Sequence, residues 1–303
     1  MNSVDVGSPW VFSEGLAAVI IKNHWGYINR NGNVEIEPKF TDAAGFSEGL
    51  AAVAVNKIYG FIDRYGTMVI EPKYDFALAF SEGLATVQIG NQLQIIDKTG
   101  TVVADFGEKY TDVSQFSCGL ASVEVDFSKC GFIDRSGKMV IKPKFCFVCP
   151  FNDGLALVNL TEDGKSGFID TTGRFVIEPQ FDEAESFSEG VAPVKKDGSW
   201  SFIDKNGVEV SRLGDRFDYV MPLSEGYSQV KMGEKYGIID KQGNLLVDAK
   251  FDRLNIFSEG LAYARIGDTH GYINYSGSFV FQKPVTKPTL IDKLRGRKDW
   301  LRW

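Results

Sequence analysis

A chain of 303 residues that is 44% hydrophobic and 24% charged has the composition of a folded protein with a substantial core. Its net charge of −7 argues against nucleic acid as the main partner, because phosphate binding needs clustered Lys and Arg. No apolar run reaches the ~20 residues that a transmembrane helix needs. The first residues, MNSVDVGSPW, show no basic and apolar leader, so we expect a cytoplasmic protein.

One motif recurs through the chain after a lead-in of residues 1–11. The stretch FSEGLAAV at 12–19 returns unchanged at 46–53, and its glycine recurs every 34 to 36 residues. Repeats of this length are typical of solenoids and propellers. We therefore divide residues 12–282 into eight units, which start near residues 12, 46, 80, 116, 151, 187, 223 and 257.

Each unit predicts three β-strands, which the second unit shows in chain order. Apolar residues alternate in GLAAVAVN (49–56), which is typical of a strand with one constant face. Adjacent apolar residues in YGFID (59–63) and TMVIEP (67–72) indicate strands that are covered on both faces. The turn DRYG (63–66) joins these two strands as a hairpin. A linker, KFTDAAGFSEG (39–49) in the preceding unit, leads from one unit to the next.

The units together predict an all-β fold of eight tandem three-stranded antiparallel meanders. Strands with two covered faces must pack between copies of themselves, and small residues such as Ala17 and Ala51 suit a crowded axis. A β-propeller-like ring is therefore the favoured arrangement. An open superhelical solenoid is the alternative, because no terminal strand is obviously exchanged to close a ring.

Recurring polar residues of the linkers and turns are expected to be structural. Phe46 can fill the core, Glu48 can bond linker amides or a nearby Lys, and turn residues such as Asp63 can bond the turn's own amides. Acids that occur in every unit do not form the one site with distinct environments that acid–base catalysis needs. The basic residues that precede an aromatic are predicted partners of the glutamates: Lys39, Lys73, Lys109, Lys144, Arg216 and Lys250.

This pattern resembles the bacterial WG-repeat family, named for the Trp-Gly pair that begins its second strand. The resemblance rests on EGLA, then WGYIN (25–29) or YGFID, then a glycine turn and VIEPKY or similar. Only Trp25–Gly26 is a literal pair, and LQIID (93–97) and WSFID (200–204) lack the glycine. The resemblance implies a non-catalytic repeat scaffold, often joined to other modules.

Cysteine and histidine give few candidates for chemistry. All four cysteines fall within 32 consecutive residues: Cys118, Cys130, Cys146 and Cys149. Their spacing resembles a zinc site only loosely, so small buried residues are the favoured interpretation, with zinc or a disulfide as alternatives. His24 and His270 both lie at the turn from the first to the second strand, and ring closure would bring these turns near each other. We predict no cofactor and no metal.

The composition changes in a basic aromatic tail at 283–303. Seven Lys/Arg against two Asp give the tail +5, which leaves −12 for the rest of the chain. Leu290, Ile291 and Leu294 can share one face of a short helix. The tail can dock on the acidic body, on a protein partner or on an anionic membrane surface. Its candidate partner-binding residues are Arg295, Arg297, Lys298, Trp300 and Trp303.

We expect a non-catalytic scaffold for protein–protein interaction, with a partner that the sequence does not identify. The variable loops between the first and second strands form its predicted binding rim: KNH (22–24), DFSKC (126–130), LTEDGKS (160–166) and RIGDTH (265–270). A glycan or cell-surface binding module is the alternative. An enzyme with an axial site is the least favoured hypothesis, because no unrepeated nucleophile, base and acid stand together.

Overall fold

The computed structural model describes residues 11–125, 129–162 and 164–284 of the chain. These residues form eight small antiparallel sheets, and no helix occurs among them. The sheets follow one another as the blades of an eight-bladed β-propeller, which confirms the all-β prediction of eight tandem units. Residues 1–10 and the tail after Pro284 lie outside the described part.

Each complete blade has four strands in chain order, which we name the inner, second, third and outer strands. The linker contributes the inner strand, so the blade has one strand more than the predicted meander. In blade 2 this strand has two residues, and Asp42 and Ala43 pair with Ala54 and Val53 of the second strand. The described residues of blade 1 supply its second, third and outer strands.

The strand bounds repeat from blade to blade. The inner strands are Asp42–Ala43, Phe76–Ala77, Asp112–Val113, Phe147–Val148, Glu183–Ala184, Tyr219–Val220 and Arg253–Leu254. The second strands are Leu16–Ile21, Leu50–Val55, Leu84–Ile89, Leu120–Val125, Ala156–Asn159, Val191–Lys196, Tyr227–Met232 and Ala262–Ile266. The third strands are His24–Asn29, Ile58–Asp63, Gln92–Asp97, Lys129–Asp134, Ser166–Ile169, Ser199–Asp204, Lys235–Asp240 and Thr269–Ile273. The outer strands are Val34–Phe40, Met68–Tyr74, Val102–Gly107, Met139–Phe145, Phe175–Phe181, Glu209–Gly214, Leu245–Phe251 and Phe279–Pro284.

The hydrophobic core lies between the blades, in eight clusters that each join two neighbours. Ala51 and Ala52 of a second strand are both fully buried, because small side chains let adjacent sheets approach closely. The linker phenylalanine packs on an aromatic ring of the preceding blade, as Phe46 does on Tyr27 with centroids 4.9 Å apart. Each such phenylalanine contributes about 1.5–3 kcal/mol through burial.

Blade 8 closes the ring onto blade 1 through the same contacts that join the other blades. Tyr272 packs on Phe12 with ring centroids 4.9 Å apart, which repeats the contact of Tyr27 with Phe46. The Oγ of Ser258 donates a hydrogen bond to the carbonyl oxygen of Phe12 at 2.6 Å, as other linker serines do to the next blade. The arrangement is therefore a closed ring and not the open solenoid.

The glycine of the aromatic–glycine pair makes room for the outer strand. A Cβ on Gly60 would lie 2.4 Å from the carbonyl oxygen of Ile70 and 2.8 Å from the nitrogen of Pro72. The pairing register shifts at this point, between Tyr59 and Phe61. The outer strand bulges toward the third strand at this point, and only glycine leaves enough space. Blade 7 has the same register shift beside Gly237, although Ala249 stands there in place of the proline.

Units three and six lack the glycine and the proline together. Gln94 and Ser201 take the place of the glycine, and the outer strands there read VVADFG (102–107) and EVSRLG (209–214). In blade 3 the third strand pairs Gln94 with Asp105 and tolerates the side chain, and Gln94 Nε2 donates to Asp105 Oδ2 at 2.8 Å. In these two units the side chain at the glycine position and the changed outer strand therefore occur together.

Gly60→Ala should lower the free energy of unfolding by about 1–3 kcal/mol, because the new methyl group meets main-chain atoms that cannot rotate away. Ser201→Ala is the matched control, since it lies at the same position of a unit without the bulge and should change stability little. Urea unfolding followed by tryptophan fluorescence measures both. Equal stability of the two variants would show that the bulge does not require glycine.

Candidate functional site

A two-residue hairpin leads into the second strand of every blade. Ser47 and Leu50 exchange both backbone hydrogen bonds, and between them Glu48 and Gly49 have φ of 53° and 85°. Positive φ at both central residues defines a type I′ turn. The left-handed backbone conformation costs a non-glycine residue about 1–2 kcal/mol. We therefore expect the side chain of Glu48 to make an interaction that offsets this cost. The same residue has positive φ in every blade: Glu14, Glu48, Glu82, Cys118, Asp153, Glu189, Glu225 and Glu259.

The carboxylate of this residue bonds the hairpin of the next blade. Glu48 accepts from the amide of Gly83 at 2.9 Å, and Glu259 accepts from that of Gly15 at 3.0 Å across the closure. Hydrogen bonds to an ionised acceptor are about twice as strong as neutral ones. The remaining bonds of this kind are Glu14 to Gly49, Glu82 to Gly119, Asp153 to Gly190, Glu189 to Gly226 and Glu225 to Gly260. These bonds link the hairpins of neighbouring blades at seven of the eight junctions of the ring.

A cation from the glycine turn of the next blade reaches the same glutamate. Lys98 Nζ lies 3.1 Å from Glu48 Oε2 and donates to the Glu48 carbonyl at 2.9 Å. Burial raises the pKa of Glu48, but the bonds from Lys98 and from the Gly83 amide outweigh it, so the pKa is lowered overall. Arg30 pairs with Glu259 in the same way at 2.7 Å. These pairs are partly exposed and contribute about 0–1 kcal/mol each.

The basic residues that were predicted to pair with the glutamates have another role. Each lies over the ring of the aromatic residue that follows it, 4.4–5.3 Å from the centroid. Such cation–π contacts contribute about 0.5–1 kcal/mol at exposed sites. The residues are Lys39, Lys73, Lys109, Lys144, Arg216 and Lys250, and the prediction of their ion pairs is wrong.

The junction of blades 4 and 5 lacks the carboxylate. Cys118 takes the place of the glutamate and keeps its positive φ of 53°. Thr171 takes the place of the turn cation, so both members of the ion pair are replaced at one junction. The neighbouring Ser117 still donates to the carbonyl oxygen of Phe151, which maintains the rest of the contact.

The four cysteines are free thiols in four different positions of the repeat. Cys118 and Cys146 are exposed, so the interpretation as small buried residues is wrong for these two. Burial raises the pKa of Cys130 and of Cys149 to about 11, which keeps both protonated at neutral pH. Within the described residues, no group of three or more His, Cys, Asp or Glu side chains is placed to hold a metal ion.

The two histidines occupy adjacent positions of the repeat, since His24 precedes the aromatic position and His270 stands at it, and they bond different groups. His24 Nδ1 lies 3.3 Å from the carbonyl oxygen of Lys22. His270 Nδ1 lies 3.1 Å from the hydroxyl of Tyr263, within its own blade.

The face opposite the Glu-Gly hairpins varies most between blades, and we call it the loop face. It contains the hairpins between the second and third strands, which are the predicted binding rim, and the first residue of each inner strand. These first residues form what we call the inner ring: Asp42, Phe76, Asp112, Phe147, Glu183, Tyr219 and Arg253. Carboxylates occupy blades 2, 4 and 6, aromatic residues occupy blades 3, 5 and 7, and arginine occupies blade 8.

The inner ring presents apolar surface to solvent. Phe76 and Phe147, the first residues of their inner strands, are 43% and 49% exposed. Neighbouring blades are linked here, because Asp42 accepts from the hydroxyl of Tyr59 at 2.5 Å and Tyr59 packs edge-on against Phe76. Comparison of this position across all units in the sequence would have revealed the alternation, which the search for motifs missed.

Glu185 is a half-buried carboxyl two residues beyond Glu183 on the inner side of blade 6. The hydroxyl of Tyr219 in blade 7 donates a hydrogen bond to it. Burial, and next the charge of Glu183, raise the pKa of Glu185 to about 7. Cys149 of blade 5 lies close enough for the Glu185 charge to act on its pKa as well.

A cavity of about 380 Å³ lies between blades 5 and 6 near the outer strand. Polar side chains line it, including Gln180, Lys196, Ser201, Glu209 and Arg212. Lys196 Nζ donates to Gln180 Oε1 at 3.0 Å across the junction. The sequence analysis did not bring these residues together.

The tail candidates Arg295, Arg297, Lys298, Trp300 and Trp303 lie outside the described residues, as does the short helix predicted near Leu290. The described part of the chain contains no helix that is long and apolar enough to cross a membrane.

The fold and its contacts define a class of protein: a closed propeller of blades built from an aromatic–glycine repeat. The profile of the WG containing repeat matches residues 25–57, 59–92, 95–126, 131–165, 167–200, 200–236 and 236–269. These matches cover more than half of the chain, and the protein belongs to the WG-repeat family. Most matches start near the third strand and therefore span the junction between two blades. A search of the curated proteins finds no match.

Three solved structures with similar folds are distant in sequence. The computationally designed Ika8 protein is 13% identical with a TM-score of 0.60, covering 91% of this chain and 96% of that one. A eukaryotic initiation factor is 12% identical with a TM-score of 0.64, covering 93% and 89%. BamB from Moraxella catarrhalis is 12% identical with a TM-score of 0.51, covering 87% and 97%. At these identities the likeness concerns the fold alone.

Cys118→Glu should stabilise the ring by about 1 kcal/mol, because it supplies the missing carboxylate to the amide of Gly154. Adding Thr171→Lys should stabilise the protein further by restoring the ion pair. Thermal unfolding of both variants tests the expectation. Glu48→Cys is the control in the opposite direction and should destabilise the protein. A Cys118→Glu variant with an unchanged unfolding temperature would contradict the role assigned to the carboxylate.

Glu185→Gln should remove one part of the pH dependence of stability. The folded protein keeps the Glu185 proton up to about pH 7, whereas the unfolded chain loses it near its ordinary value of 4.5. The stability linked to this proton is therefore fully present below pH 4.5 and is lost as pH rises to 7. Urea unfolding between pH 4.5 and 8 should show a smaller decline for Glu185→Gln than for the wild type. Parallel curves for the two proteins would contradict the assignment.

Proposed function

We propose that this protein is a non-catalytic scaffold that binds a protein partner through its loop face. The main support for this proposal is the contrast between the two faces of the ring. On the hairpin face the recurring acids bond the next blade, so their oxygens serve the structure. On the loop face the equivalent positions differ in charge and aromatic character from blade to blade, as a surface selected for one partner would.

The exposed aromatic residues support binding on this face. Aromatic side chains are enriched in protein interfaces, where they supply large contact area at low entropic cost. Phe76 and Phe147 lie two blades apart on the inner ring, with Asp112 between them. Protein interfaces commonly have hydrophobic anchor residues at the centre and polar or charged residues around them, and these three residues fit that arrangement.

A glycan-binding function has less support. Such a module would stack sugar rings on exposed aromatic residues of its hairpins. Three of the aromatic residues that precede the repeat glycine are half-buried, namely Trp25, Tyr59 and Tyr236. Trp200, at the same position of blade 6, is fully buried. We therefore propose protein binding ahead of glycan binding.

Photo-crosslinking from single positions tests the proposed face. A benzoylphenylalanine at Phe147 should capture the same protein from the native cell as one at Phe76. Tyr65 is the matched control, because it is 82% exposed and lies in a turn on the hairpin face. Capture should fail from Tyr65 and weaken when Asp112→Lys is added to the Phe147 probe. Equal capture from both faces, or none from the loop face, would contradict the proposal.

A further inference from the structure

The inner ring is divided into an acidic half and a basic half. Each inner-ring residue pairs with one residue of the second strand, and the two side chains stand next to each other on the loop face. In blades 2 to 5 these pairs contain three carboxylates and no cation: Asp42 with Ala54, Phe76 with Gln88, Asp112 with Glu124, and Phe147 with Asn159. In blades 6 to 8 they contain four cations and one carboxylate: Glu183 with Lys195, Tyr219 with Lys231, and Arg253 with Arg265.

The centre of the acidic half holds two carboxylates at directly opposite positions of neighbouring strands. Like charges at directly opposite positions destabilise a sheet, so Asp112 and Glu124 oppose the pairing of their own strands. Among the described residues neither carboxylate has an ion-pair partner. Burial is the largest cause of the raised pKa of Cys130, and the charges of Glu124 and Asp112 raise it further. Both carboxylates therefore lie near Cys130. A cation bound here would relieve the repulsion.

The exposed rings of Phe76 and Phe147 lie in the blades on either side of Asp112. A Lys or Arg side chain over such a ring gains cation–π attraction, and a tryptophan gains an aromatic contact. The acidic half thus fits a segment that is both basic and aromatic.

The chain itself supplies such a segment after its last described residue. Pro284 pairs with Thr269, which directly follows the hairpin between the second and third strands of blade 8. Pro284, the last described residue, therefore lies at the loop face. Residues 285–303 carry six Lys/Arg, two Asp, Trp300 and Trp303.

The segment is also long enough to reach the acidic half. Its 19 residues span up to about 60 Å when extended. A compact chain of 303 residues has a radius of gyration of about 19 Å, so every inner-ring residue is within reach.

We propose that residues 285–303 fold back across the loop face, and that their basic and aromatic side chains occupy the acidic half of the inner ring. The segment neutralises Asp112 and Glu124 and covers Phe76 and Phe147. It thereby occupies the surface assigned to the partner under the proposed function, and a partner that binds there must compete with it.

Zero-length crosslinking of the 303-residue chain tests the contact. A carbodiimide joins Lys ammonium groups to carboxylates that touch them, and mass spectrometry locates the joined peptides. In dilute protein we expect amide links from Lys293 or Lys298 to Asp112 or Glu124, in the monomer band. The double variant Asp112→Asn/Glu124→Gln should lose these links by about fivefold or more. It should fold, since the change removes a repulsion.

Glu71→Gln is the matched control, because Glu71 is an exposed acid on an outer strand and its loss should leave the tail links unchanged. Tail links to unrelated acids, or links that survive in the double variant, would overturn the proposal. Links confined to a dimer band would assign the contact to the tail of a second copy and would overturn it as well. Partner capture from Phe76 and Phe147 is a separate readout, so failure of the tail contact leaves the proposed function standing.

Discussion

The bond from a hairpin carboxylate to the glycine amide of the next blade is the interaction on which the ring depends. This bond requires three residues in sequence: a short polar residue before the turn, an acid that tolerates positive φ, and a glycine whose amide is available to the preceding blade. Ser47, Glu48 and Gly49 satisfy these demands in one tripeptide. The near-identity of the FSEG stretch across units follows, because any change affects the geometry of two blades.

This dependence explains how the ring closes without an exchanged strand. Propellers whose blades meet only through apolar contacts need a further device to hold the first blade to the last. Here Glu259 bonds Gly15 and Arg30 as Glu48 bonds Gly83 and Lys98 inside the ring. Closure therefore uses the same charge-assisted bonds as the other junctions that have the carboxylate.

The sequence predicts the long strands well because each carries a pattern over six or seven residues. Alternation in 49–56 and the Asp-x-x-Gly turns mark the second, third and outer strands of each unit. The inner strand escapes prediction, since Asp42 and Ala43 form two pairs only and then give way to the buried Phe46. Two residues are too few for any periodicity to show.

The candidate site is harder to predict than the fold, for a related reason. Periodic analysis averages equivalent positions and so detects what the units share, whereas the inner ring is defined by how they differ. Phe76 and Asp112 look like ordinary linker residues within their own units. Their relation appears only when the ring brings position next to position around the axis.

The hairpin face and the loop face of the ring are therefore under different structural constraints. A substitution on the hairpin face affects a bond to the next blade, and at the junction where Cys118 replaces the acid, Thr171 also replaces the cation. A substitution on the loop face changes one local pair of side chains, such as Asp112 with Glu124, and leaves the neighbouring blades intact. Blade-specific chemistry can therefore accumulate on the loop face at little cost in stability, and the unneutralised acids there are a local penalty that only a bound cationic group removes. The repulsion between Asp112 and Glu124 is thus the strongest structural reason to look for a ligand on this face.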